Sequence, residues 1–173
     1  MKVMLKDGSS MEFENGVSVL DVAKAISEGL ARAACAAKVN GEVADLRTEL
    51  NGDCELEILT FRDDEGKKAF RHTASHVMAQ AVKRLYPDVK LAIGPAIDDG
   101  FYYDFDKTEA FSAEELADIE KEMKKIVKEN IKIERFTLPR AEAIKLMEEA
   151  GEPYKVELTE NIPEDAELSF YKQ

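Results

Sequence analysis

Residues 36–46, Ala36-Ala37-Lys38-Val39-Asn40-Gly41-Glu42-Val43-Ala44-Asp45-Leu46, read as two short strands joined by an Asn-Gly turn. Asn-Gly between apolar-bearing runs signals a tight hairpin, because both turn positions need φ > 0. Working outward from it, residues 2–5 and 10–13 alternate on either side of Asp7-Gly8 and predict an earlier hairpin. Between the two hairpins, Ser18-Val19-Leu20-Asp21 opens a helix with a capping-box pattern, Asp standing in for the usual Glu. Leu20, Val22, Ala23, Ile26 and Leu30 continue that helix for about three turns. After the second hairpin comes the turn Asn51-Gly52-Asp53, and residues 54–59 alternate as a last strand. The order β-β-α-β-β-β over residues 1–61 predicts a small mixed sheet folded over one helix, the ubiquitin-like β-grasp. This part holds no nucleophile, metal cluster or phosphate loop, so any function of its own is binding.

Composition bounds the rest. The chain has 173 residues, of which 45% are hydrophobic and 35% charged, the balance of a folded water-soluble protein in one large or two small domains. No apolar run approaches the ~20 residues of a membrane span, and the start Met-Lys-Val-Met-Leu-Lys-Asp-Gly lacks the core of a signal peptide. Cys35 and Cys54 form no CxxC pair, so both are expected as reduced thiols of a cytoplasmic protein. A net charge of −12 argues against avid binding along a nucleic-acid backbone but leaves room for one RNA end at a local basic site.

Arg62-Asp63-Asp64-Glu65-Gly66 is charged, non-periodic and Gly-ended, and 62–66 is read as a linker. Beyond it, residues 67–86 carry apolar residues at Phe70, Ala74, Val77, Met78, Ala81, Val82 and Leu85, a helix that Pro87 stops. His72 and His76, the molecule's two histidines, lie about 40° apart on the side of this helix away from the apolar stripe, with Ala79 and Lys83. Lys67, Lys68, Arg71, Lys83 and Arg84 make the same run a basic island without an acidic residue. Residues 90–95 and 101–105 flank Ile97-Asp98-Asp99-Gly100 as a hairpin dense in aromatics, which read more readily as core than as pocket wall. Ser112-Ala113-Glu114-Glu115 is a capping box opening a helix with Leu116, Ile119, Met123, Ile126 and Val127 on one face. A strand over 131–138, a helix from Pro139 to Gly151 and a strand over 154–158 follow. The tail then turns aromatic and stops at Gln173.

Two histidines at i, i+4 on a helix can offer a metal two ligands, but four-coordinate zinc needs a third protein ligand, and neither cysteine lies in this half. A metal-free use is open as well: imidazole neutral near pH 7 orients or deprotonates a water.

Two sets of motifs carry a family resemblance. The Lys-Asp-Gly hairpin, Gly16-Val-Ser-Val-Leu-Asp21 and Val39-Asn-Gly-Glu-Val-Ala-Asp-Leu46 resemble the TGS domain, a β-grasp module at the front of threonyl-tRNA synthetases and in some GTPases and (p)ppGpp enzymes. His72-Thr-Ala-Ser-His76, followed by Leu91-Ala-Ile-Gly-Pro-Ala-Ile-Asp-Asp-Gly-Phe-Tyr-Tyr-Asp-Phe105 and Gly151-Glu-Pro-Tyr-Lys-Val156, resembles the editing domain of bacterial threonyl-tRNA synthetases. The resemblance covers the whole chain in family order. It implies an α+β protein: a TGS β-grasp at 1–61, the linker, and a mixed α+β editing domain at 67–173, incomplete at its end.

The activity so implied is ester hydrolysis of mischarged seryl-tRNA(Thr), with His72 and His76 positioning the water and the 3′ end. Lys155 would contact the RNA end or stabilise developing charge, and Gly94 and Tyr103 would form pocket wall. Partners so implied are the tRNA(Thr) acceptor end and its serine or threonine ester. Family members continue into a Cys-x-x-x-His element and then into aminoacylation and anticodon-binding domains, all absent here. An impaired or inactive editing module is therefore expected, together with no bound metal or cofactor in these residues. ATP, Mg and a catalytic-domain Zn are expected of a full-length, dimeric enzyme, and a monomer of this chain. Two other readings stand beside it: a non-catalytic β-grasp binding or regulatory protein, and a freestanding trans-editing hydrolase of the alanyl-editing type.

Overall fold

A computed structural model of the protein describes residues 1–164, 166 and 168–172, so Gln173, where the tail stops, lies outside the described residues. The chain forms two compact units, one of residues 1–73 with Ala96–Asp98, the other of Ala74–Pro95 with Asp99 onward.

The first unit begins with β1 (Lys2–Leu5) and β2 (Ser10–Glu12), then β3 (Val17–Ser18), α1 (Val19–Ile26) and α2 (Glu28–Ala33). β4 (Ala34–Val39), β5 (Glu42–Ala44), β6 (Glu49–Leu50) and β7 (Cys54–Thr60) complete it. Five strands order as β2-β1-β7-β4-β5, with β1 and β7 parallel at the centre and the other neighbours antiparallel. One face packs on α1: Val19 and Val22 join Val3, Ala37, Leu50, Cys54 and Leu56 in one core. This is the predicted β-grasp. The hairpin between β4 and β5 turns through Asn40 at φ 51° and Gly41 at φ 85°, the pair of positive values an I′ turn demands. Ser18 caps α1 as expected, its Oγ accepting from the Asp21 amide. The predicted three-turn helix is instead two helices, broken at extended Ser27, whose side chain caps α2.

Helix α3 (Asp64–Leu85) starts inside the stretch read as linker. Its first turns belong to the first unit and are tied to the end of β7. Asp63 accepts from the Thr60 amide and hydroxyl at 2.8 and 3.1 Å, and Glu65 pairs with Lys38 at 2.6 Å. Phe61 and Phe70 meet edge to face at 5.2 Å. A Cβ at Gly66 would overlap the Thr60 carbonyl, so glycine alone permits this approach.

The second unit holds the rest of α3, then β8 (Lys90–Leu91); β9 (Ala96–Ile97) falls within the first unit's segment, and β10 (Gly100–Phe101) and β11 (Phe105–Asp106) follow. β8 and β11 pair antiparallel with Leu91 opposite Phe105, and Ala92, Asp104 and Ile93 carry the backbone pairing further. α4 (Ala113–Glu129) buries Ile119 and Ile126 against Val77, Ala81, Val82 and Val89 of the unit's core. Its capping box forms as read: Ser112 Oγ accepts from the Glu115 amide, and Glu115 accepts from the Ser112 amide. Leu116 and Val127, placed by periodicity on the same face, are exposed.

β12 (Glu134–Leu138), α5 (Arg140–Glu149), α6 (Pro153–Asn161) and β13 (Leu168–Lys172) end the described chain, with β12 and β13 antiparallel. The strand predicted over 154–158 is thus a correction: it is the body of α6. Pro153 occupies the first helical position, where its fixed φ and missing N–H cost nothing. Thr159 and Asn161 side chains then bond back to the carbonyls of Lys155 and Glu157. Gly151, at φ +68°, ends α5 as predicted. Its amide reaches Glu148 O and the Glu152 amide reaches Met147 O, the two bonds of a Schellman motif.

Candidate functional site

Along α3, His72 and His76 are both exposed on successive turns of one side, as their spacing requires. Their surroundings differ from the sequence expectation. Ala79, expected beside them on an open face, is buried, whereas Phe70, assigned to the apolar stripe, is 54% exposed.

The basic island is largely spent within the chain. Arg71 donates to the carbonyls of Ile97, at 3.1 Å, and Asp98. Lys83 donates to Pro87 O at 2.8 Å and Val89 O at 3.1 Å and pairs with Glu152 at 2.8 Å. Arg84 grips Glu129 with two bonds of 2.9 and 2.8 Å and reaches Glu122 at 3.1 Å, which raises its already high pKa further. The helix also begins with Asp64 and Glu65, which a start at residue 67 leaves out. A cationic face for an anion is therefore not what α3 provides.

Within the second unit the structure brings Gly94, Tyr103 and Lys155 together. Lys155 lies in the first turn of α6, and its Nζ donates to the Tyr103 hydroxyl at 3.0 Å while lying 5.6 Å from the ring centroid. Tyr103 is buried and stacks on Phe105 at 4.9 Å. The ring lies directly over Gly94, where a Cβ would overlap ring carbons Cδ2 and Cε2. Gly94 in turn is held from α3: Ser75, wholly buried and next to His76, donates its hydroxyl to Gly94 O at 2.9 Å. His76 falls in this same unit; His72 falls on the part of α3 that belongs to the first unit.

Glu152 completes the arrangement. It is 6% exposed and precedes α6, and its carboxylate accepts from the Leu91 amide at 2.9 Å as well as from Lys83. Reading the sequence assigned roles to neither Ser75 nor Glu152. Ser75 sits inside the quoted His-x-x-x-His motif, and a serine in mid-helix that does not face water must bond to something. Glu152 stands between a helix-ending Gly and a helix-opening Pro, a place where an acid can be drawn inward.

Chemically the site offers an ammonium with donors to spare and a phenol that orients it, with His76 next along α3 from the serine that holds Gly94. Cys35 and Cys54 lie in the first unit, where burial pushes both thiols up and away from nucleophilic use. Among the described residues no three His, Cys, Asp or Glu side chains converge as metal ligands. No helix among them is long and apolar enough to cross a membrane.

With this geometry in view, the family comparisons fall into place. Residues 1–60 match the family described as TGS domain, so the first unit is built on a TGS β-grasp. Over all 173 residues the chain is similar to proteins named Threonine--tRNA ligase: 62% identical to that of Acetivibrio thermocellus, 63% to that of Clostridium acetobutylicum and 60% to that of Clostridioides difficile. Each alignment takes in 100% of this chain and 27% of the relative, so the chain spans about a quarter of the length of the relatives it matches. The resemblance to threonyl-tRNA synthetases read from the motifs thus runs from end to end.

Proposed function

We propose that this chain is the TGS-and-editing part of a threonine–tRNA ligase, and that its second unit serves to hydrolyse the ester of seryl-tRNA(Thr). The observation that carries the reading is the Lys155 ammonium held 3.0 Å from the buried Tyr103 hydroxyl, above a glycine that leaves room for the ring. The need is physical. Serine is threonine less one methyl, and one methyl in a pocket is worth only about 1–3 kcal/mol of discrimination, so a second site must remove the error.

In the reaction, water adds to the aminoacyl carbonyl carbon. The tetrahedral intermediate then collapses with cleavage of the ester C–O bond, the ribose oxygen takes up a proton, and free serine leaves. His76 orients the water and the 3′-terminal ribose, and the same role for His72 rests on the family resemblance alone. Lys155 gives one N–H to Tyr103 and keeps others for the carbonyl oxygen as it gains negative charge. Tyr103 and Gly94 wall the site. The partner is the acceptor end of tRNA(Thr), and no metal is assigned to these residues. ATP, Mg and zinc of an aminoacylation domain have no ligands assigned in this chain.

Deacylation of seryl-tRNA(Thr) and threonyl-tRNA(Thr) tests the reading, in this chain and in a version carried through the Cys-x-x-x-His element. The longer version should release serine in preference to threonine, with a weak or absent rate in the shorter. His76→Ala or Lys155→Ala should slow it by about 100-fold or more. Hydrolysis of neither ester by the longer version, or an unchanged rate in His76→Ala, would sink the proposal.

A further inference from the structure

We infer that Glu152 is a positioning residue that sets the Lys155–Tyr103 pair, an inference that rests on the editing reading of that pair. Its place in the chain is unusual. The Glu152 amide closes the Schellman motif of α5, and its carbonyl accepts from the amides of Lys155 and Val156, opening α6. A residue in that position ordinarily spends a polar side chain on its own helix. Glu152 makes no such cap. Its carboxylate turns inward instead, one oxygen to the Leu91 amide and the other to Lys83 on α3.

Together, its backbone and its carboxylate reach both walls of the site. Through its backbone, Glu152 fixes the first turn of α6 and hence the starting point of the Lys155 side chain. Through Leu91 it fixes the hairpin whose register places Phe105 opposite Leu91 and Asp104 against Ile93. Gly94 follows Ile93 and Tyr103 precedes Asp104 just beyond β8 and β11, so the carboxylate anchors the phenol's hairpin while the Glu152 backbone holds the lysine's helix. Lys83 neutralises the buried charge and ties the assembly to the helix that bears His76. Its two further carbonyl bonds, to Pro87 and Val89, hold the ammonium in place. One residue thus spans the ammonium's helix and the hairpin of the hydroxyl that orients it, and an error of about 1 Å there costs about 100-fold in rate.

The test uses the 173-residue chain with tyrosine labelled at ring carbon Cζ, the Tyr103 resonance being assigned with Tyr103→Phe. Lys155→Met supplies the signature of a phenol without its ammonium. Glu152→Ala should move the Tyr103 resonance to the Lys155→Met position, while Glu152→Gln, which keeps an acceptor for Leu91, should hold it near the original. Glu152→Asp, whose shorter arm cannot reach both partners, should move it partway and decides the matter should the alanine variant not fold. An original Tyr103 signature in Glu152→Ala or Glu152→Asp overturns the inference, as does its loss in Glu152→Gln. In the longer version, Glu152→Ala should lower kcat for serine release by about 100-fold with KM little changed, and Glu152→Gln should restore most of it. If that version hydrolyses no ester, the editing reading fails, while the resonance still decides whether Glu152 sets the pair.

Discussion

Gly94 shows how narrow the tolerance of this site is. The Tyr103 ring rests where a side chain at 94 would be, and Tyr103 cannot retreat because Phe105 stacks behind it. Gly94→Ala should therefore force the ring aside, break the bond to Lys155 and cost about 1–3 kcal/mol as an overpacked core does. Urea unfolding would measure the loss, and a stability unchanged from the parent would show that the hairpin yields instead. The sequence offered Gly94, Tyr103 and Lys155 only through the family motifs, for nothing local to any of them foretells the others. Ser75 and Glu152 stayed hidden for the same reason. Their partners, Gly94, Leu91 and Lys83, become neighbours only after α3, the hairpin and α6 have packed.

Among the elements, those with local signals were legible and those without were not. The Asn40-Gly41 turn, the Ser112 capping box and the Gly151 stop each act within four or five residues, and each formed as read. The segment 154–158 misled because five residues containing Tyr, Val and Leu suit a strand as well as a helix turn. Pro153 was the signal that should have tipped it. The fate of the α3 cations could not be foreseen, since Glu122, Glu129 and Glu152 lie far along the chain.

The capping box of α4 carries a pH signature. The Ser112 amide, first, and then Lys107 hold the Glu115 carboxyl below the ordinary glutamate value of 4.5. The folded chain then binds that proton more weakly than the unfolded one. The stabilisation is present above about pH 4.5 and is lost as pH falls through the depressed folded value. Carboxyl-carbon NMR should find Glu115 titrating below 4.5, and Lys107→Met, which removes the ammonium but leaves the Ser112 amide, should return it part of the way toward that value. A Glu115 that titrates normally in the parent would refute the box's electrostatic role.

For the molecule as a whole, the fold class was legible because a β-grasp is assembled from short-range hairpins that announce themselves. The second unit was less so. Among the described residues β8 pairs with β11 and β12 with β13, each two by two, around helices that carry most of the core. Periodicity finds such helices but does not say which of their apolar residues meet a partner, and Leu116 and Val127 on α4 are the instances.

The close approach of Gly66 to the Thr60 carbonyl bears on where this protein can be cut. The family match ends at residue 60, yet Asp63, Glu65, Gly66 and Phe70 are fastened to the end of β7 and to β4 by bonds, an ion pair and ring contact. The portable module is longer than the recognisable one. A piece comprising residues 1–73 should melt several degrees above one comprising 1–60, and Gly66→Ala should erase most of that difference. Equal melting temperatures for the two pieces would mean that the helix is only a guest on the β-grasp. On the geometry described, those first turns of α3 are part of its frame, and transplanting the module without them would leave its last strand unfinished.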